Sequence, residues 1–272
     1  MLKAFFDEAS DDTNDFLMAG WLARFDEWES FSTAWEKELK FNPAIEYFNH
    51  NEAMGNKCQF KGWSDVDRDS KMMALAGVIA RYNLVGLVGR IDIPQLDSLF
   101  SRSIAPRRQL RSVIKFTEPY HHACQCVVAV TLGYQILKAK NLADQVDFIF
   151  DEGVRYLADI IGNYPRLKAI LPAEARKIAG TIIPGNDRQI VALQAADLLA
   201  GQELLKLRIK TEPKPLAVID GGRINRFSCH GKGLERIPSS ISKLNVIWAA
   251  KRLLKVQDDK GRRKEHENKE KK

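Results

Sequence analysis

The chain opens on an apolar run, Leu2 to Phe6, that stops at two adjacent carboxylates, Asp7 and Glu8. A run apolar on both faces predicts a strand at the centre of a sheet, with its first polar residue delivered to the sheet's end. Residues 9–14 are polar and read as a turn, and residues 15–25 return as a second strand, so the chain begins with a β-hairpin. Apolar positions at Trp28, Phe31, Trp35 and Leu39 predict a helix to Lys40, stopped by Pro43 ahead of a short strand at 45–48. Ser64 or Asp65 caps a helix reaching about Tyr82, with Met72, Met73, Leu75, Ala76, Ile79 and Ala80 inward. Residues 84–93 then predict a strand ended by Pro94.

Further along, Glu118 or Pro119 starts an apolar helix that runs through Leu137. Residues 144–151 form another apolar run closed by Asp151 and Glu152, residues 156–171 an amphipathic helix, and residues 178–184 a further strand. Asn186 or Asp187 caps the helix that holds Leu193. From 213 to 238 the pattern breaks at paired glycines, and residues 242–256 give a last helix. The remainder lacks apolar periodicity, which predicts a disordered charged tail at 257–272. No repeat or second core emerges, so residues 1–256 read as one α/β domain with helical and loop additions.

Composition narrows the class. With 45% hydrophobic and 28% charged residues the chain has an ordinary globular balance. No apolar stretch is long enough for a membrane span and the early Asp7 does not suit a signal peptide, so a cytoplasmic protein is expected. Cys58, Cys124, Cys126 and Cys229 are spread without a small-domain framework, which fits reduced thiols. The net charge is +7, and residues 258–272 hold seven Lys or Arg against five Asp or Glu, so +5 stays with the body. That excess permits nucleic-acid binding without requiring it. Arg102, Arg107, Arg108 and Arg111 are the densest arginine cluster outside the tail. They are candidates for phosphate contact, against the plainer reading of a solvated face.

The chemistry concentrates in three stretches. Asp7 and Asp151 end apolar runs, and Asp197 interrupts a helix whose neighbours Leu193, Ala195, Ala196, Leu198, Leu199 and Ala200 leave almost every face apolar. Acidic residues often end strands because loops are polar, but an ionised Asp is rarely buried without a partner. Three convergent carboxylates suit Mg²⁺ or Mn²⁺, which take oxygen ligands and activate water for phosphodiester hydrolysis. Glu8 and Glu152 are second-rank members, because adjacent residues in an extended chain face opposite ways. Gln194, three residues before Asp197, contacts substrate or fixes Asp197. His121, His122, Cys124 and Cys126, with Cys229 and His230 as the distant complement, lack zinc-site spacing. One of these histidines near the helix start is a candidate proton shuttle. An aspartyl-phosphate mechanism at Asp7 wants a second acid where Ala9 stands, and neither a phosphate-binding Gly-rich loop with Lys nor a nucleophile-elbow serine is present.

The stretches Phe5 to Ser10, Phe148 to Gly153 and Leu193 to Ala200 resemble the signature blocks of the family called domain of unknown function 3800. The resemblance implies a ribonuclease H-like fold, a mixed sheet flanked by helices on both faces, with a carboxylate site for Mg²⁺ or Mn²⁺. Ala9 and Ser10 depart from the commoner Ser-Gly after Asp-Glu, which alters the turn and leaves both carboxylates. The expected function is a metal-dependent nuclease or related phosphodiester hydrolase acting on DNA or RNA. The alternative is a non-catalytic nucleic-acid-binding or partner-binding protein of the same fold. Hydrolysis of a nucleotide or another small phosphate ester is a third course, and a homodimer is left open.

Overall fold

The computed structural model describes residues 1–101, 119–138, 144–153 and 156–228. The expected 242–256 helix, the charged tail and the arginine cluster with Arg102, Arg107, Arg108 and Arg111 lie outside these residues, as do Cys229 and His230. Strand β1 (Leu2–Ser10) and strand β2 (Asp15–Arg24) form the expected hairpin. Its turn is held by the Asp11 carboxylate, which accepts from the amides of Thr13, Asn14 and Asp15 at 3.1, 2.7 and 2.9 Å, while Asp12 takes a φ of 64°.

Helix α1 (Phe25–Lys40) follows, then α2 (His50–Met54), α3 (Asp65–Arg81), strand β3 (Val85–Asp92) and α4 (Ile93–Ser101). Helix α5 (Pro119–Lys138) leads to β4 (Val146–Asp151), α6 (Leu157–Ile170), α7 (Ala173–Ile178) and β5 (Ala179–Gly185). Helix α8 (Val191–Ile209), α9 (Lys214–Asp220) and β6 (Ile224–Ser228) complete the described chain. The strands make one six-stranded sheet in the order β5-β4-β1-β2-β3-β6. Strand β2 is antiparallel to β1 and β3, and the pairs β1 with β4, β4 with β5 and β3 with β6 are parallel. The sheet is therefore mixed and the class α/β.

Side-chain alternation sorts the sheet into two faces. Phe5, Leu17, Ala19, Trp21, Val88 and Ile149 join the core formed with α1, α3, α8 and α9. Ala4, Phe6, Met18, Leu22, Leu87, Phe148 and Phe150 join the core formed with α5, α6 and α7. Helices cover both faces.

Several expectations are corrected. Residues 45–48 are not a strand, and the segment bends into α2. The region after 213, read as irregular, holds α9 and a sixth strand. Helix α8 is capped by Ile190, not by Asn186 or Asp187, which stand in the loop before it. Cys58 and Cys124 are free thiols as expected, but Cys126 is disulfide-bonded. Among the described residues no helix is long and apolar enough to cross a membrane.

Candidate carboxylate site

Strands β1 and β4 run parallel with Phe6 paired to Phe150, so the next residues, Asp7 and Asp151, stand side by side where that pairing ends; Asp151 closes β4, whereas β1 continues to Ser10 against β2. Alternation gives Asp7 the face of Phe5 and Asp151 the face of Ile149, and α8 lies on that face. The indole Nε1 of Trp21 donates to the carbonyl of Ala195 at 3.0 Å, which fixes α8 against β2. Asp197, 6% exposed, belongs to this helix, which packs on β1, β2 and β4. Asp7, Asp151 and Asp197 lie close enough for their charges to act on one another.

Their electrostatics record the proximity. Asp7 is partly accessible yet densely surrounded, and burial, with the charges of Asp151 and Asp187 behind it, pushes its carboxyl up to about 7. Burial drives Asp197 well above the carboxylate range, reinforced by Asp7, Asp187 and Asp151 and opposed by a hydrogen bond from the His50 amide to its Oδ2 at 2.6 Å. Asp151 is raised by burial and then by Asp187. Glu8 is pushed up to about 9 by burial and by the charges of Asp7 and Asp151.

Asp187 is therefore a fourth aspartate of the cluster. It read as a helix cap because an acid shortly before an apolar helix commonly is one. Its place is set by Gln194, whose Nε2 donates to the Asp187 carbonyl at 2.9 Å. The Oε1 of Gln194 accepts from Trp35 Nε1 at 2.9 Å and from the Phe48 amide at 3.1 Å. At 1% exposed, Gln194 joins α1, the 45–48 segment and the Asp187 loop, and its contacts are to these. Glu152 is exposed and accepts from Asn186 Nδ2 at 2.7 Å, pinning the other side of that loop.

His50 packs its ring against Gly201, where a Cβ would collide with it. Burial, then the charges of Arg208 and Arg68, hold its imidazole down to about 4, so it is neutral at pH 7 and brings Asp197 no positive charge. Among the described residues none of Asp7, Glu8, Asp151, Asp187 and Asp197 forms an ion pair. Nor, among those residues, does any group of three or more His, Cys, Asp or Glu side chains stand arranged to hold a metal ion, the His121 and Cys124 region included. The acids of the cluster offer hard oxygens, the kind that Mg²⁺ and Mn²⁺ take.

No family model, curated protein or solved structure matches the chain.

Proposed function

We propose that the protein is a metal-dependent nuclease or related phosphodiester hydrolase of ribonuclease H-like architecture, akin to the family called domain of unknown function 3800. The observation that carries this reading is a group of neighbouring acids that, among the described residues, forms no ion pair. Asp7, Asp151 and Asp197, from two neighbouring strands and one helix, have raised proton affinities to which burial contributes first and neighbouring acids, Asp187 among them, add. Buried carboxylates need compensation, by protons or by a metal. The mixed sheet with helices on both faces, and the order strand Asp, strand Asp, helix Asp, support the architecture.

In this reading Asp7, Asp151 and Asp197 are the ligands and Asp187 completes the set. Mg²⁺ or Mn²⁺ bound there would supply charge neutralisation for a phosphate and an activated water. The His50 amide restrains Asp197 through Oδ2, Gln194 and Glu152 hold the loop that presents Asp187, and the strand register fixes Asp7 beside Asp151. Alanine at Asp7, Asp151 or Asp197 is expected to abolish Mg²⁺-dependent cleavage of DNA or RNA with the circular dichroism spectrum retained. Wild-type cleavage by any of the three variants overturns the reading.

The second reading is a binding protein of the same fold whose acids form a protonated structural network. The Asp197 to His50 bond and the raised proton affinities favour it. It predicts salt-sensitive, metal-independent binding to nucleic acid.

A further inference from the structure

Two chain segments meet on α8 beside the acids. In one, the Phe48 amide donates to Gln194 Oε1 at 3.1 Å and the His50 amide to Asp197 Oδ2 at 2.6 Å. In the other, Gly185 pairs with Asp151, and two residues on the Asp187 carbonyl accepts from Gln194 Nε2 at 2.9 Å. The buried amide of Gln194 therefore holds both segments, and Tyr47 and Arg188, each one residue outside a bond to it, are set against each other. The Arg188 guanidinium lies over the Tyr47 ring, 4.9 Å from its centroid.

Both members of the stack are held in place. The Tyr47 hydroxyl bonds the Glu52 carboxylate at 2.9 and 3.2 Å. Asn186 ties the Arg188 loop together, its Oδ1 accepting from the Arg188 amide at 3.0 Å, its carbonyl from the amides of Gln189 and Ile190, and its Nδ2 donating to Glu152. Arg188 is exposed, with Asp187 next to it in the chain and Glu52 at the far end of the same ring. Even so, among the described residues its guanidinium makes no hydrogen bond and no ion pair. Exposed arginines are commonly solvated, but this one is laid flat on an aromatic ring at the rim of an acidic site. A stacked guanidinium keeps its N–H edge outward, and that planar fork matches two oxygens of one phosphate. Stacking also restricts the side chain in advance, so less freedom is lost when an anion engages it.

We propose that Arg188 is a substrate-binding residue, held on Tyr47 at the rim of the carboxylate site so that its guanidinium donates to a backbone phosphate of nucleic acid bound at the acids. This rests on the reading of the cluster as a phosphodiester site, and it names the cation that meets the charge of the substrate.

The test is fluorescence anisotropy of a fluorescein-labelled oligonucleotide, as DNA and as RNA, with the full chain as wild type, Arg188→Ala, Arg188→Lys and Tyr47→Leu. Ca²⁺, which takes the same oxygen ligands, is present throughout, and Ca²⁺ calorimetry and thermal unfolding run alongside. Arg188→Ala is expected to bind the preferred polymer at least tenfold more weakly, with its salt dependence reduced by about one phosphate contact. Arg188→Lys should lose less and Tyr47→Leu should lose affinity in the same direction, while the Ca²⁺ affinity and unfolding temperature of Arg188→Ala do not fall. Equal affinity of Arg188→Ala and wild type for both polymers, or no binding of either by the wild type, overturns the proposal. Weaker binding that comes with weaker Ca²⁺ binding and a lowered unfolding temperature also overturns it, by giving Arg188 a structural role. Mg²⁺-dependent cleavage by a wild type whose Arg188→Ala variant binds equally well removes this proposal and leaves the nuclease reading, and Arg188-dependent binding without cleavage does the reverse.

Discussion

Asp197 occupies a helix in which every residue from Val191 to Leu204 is buried, and its one hydrogen-bond donor among the described residues is a backbone amide, not a cation. Asp197→Asn keeps the shape and an acceptor for the His50 amide while deleting the charge. Without metal at pH 8 the variant is expected to unfold at a higher temperature than the wild type, because an uncompensated buried charge is gone. Mn²⁺ binding by calorimetry is expected to weaken at least tenfold. Undiminished Mn²⁺ binding would take Asp197 out of the ligand set. At this scale the sequence was informative where a carboxylate broke an apolar pattern, as Asp7, Asp151 and Asp197 do. Asp187 breaks none, and the bonds that place it come from Gln194 and, through Asn186, from Glu152, links that no local periodicity reveals.

Among the elements, the long helices and central strands follow their apolar spacing, and one misread piece is a segment whose backbone groups find side-chain partners. At 45–48 the Glu46 amide donates to Gln59 Oε1 at 2.5 Å and the Phe48 amide to Gln194 Oε1, so side-chain amides stand in for a neighbouring strand. Ile45 and Phe48 are buried as strand residues would be, which is why the pattern misleads. The glycines at 221 and 222, with φ of 40° and 79°, do not end the fold but turn the chain from α9 into β6. Close approach of α2 to α8 depends on another glycine. Gly201→Ala drives a methyl group into the His50 ring and is expected to destabilise the protein by about 1–3 kcal/mol, read from urea unfolding. A variant as stable as wild type would show that α2 moves away freely.

For the molecule as a whole, raised and lowered proton affinities pull stability in opposite directions with pH. Asp7 and Glu8 bind protons more tightly when folded, so their contribution is complete below their ordinary values of 3.8 and 4.5 and is lost as pH rises through about 7 and about 9. His50 behaves oppositely, contributing fully above 6.5 and losing that contribution as pH falls to about 4. Between pH 6.5 and 8.5 only the carboxylates of this set act, and the unfolding temperature is expected to fall across that interval. Mn²⁺ should raise it more at pH 8.5, since ligands bind metal deprotonated. A metal-free unfolding temperature that is flat or rising with pH would count against the buried cluster. Two of the indoles in the core also donate into α8 close to Asp197, Trp21 to Ala195 and Trp35 to Gln194. Any ligand that shifts α8 must disturb these bonds, so the protein's own ultraviolet emission reports on the site without an added label.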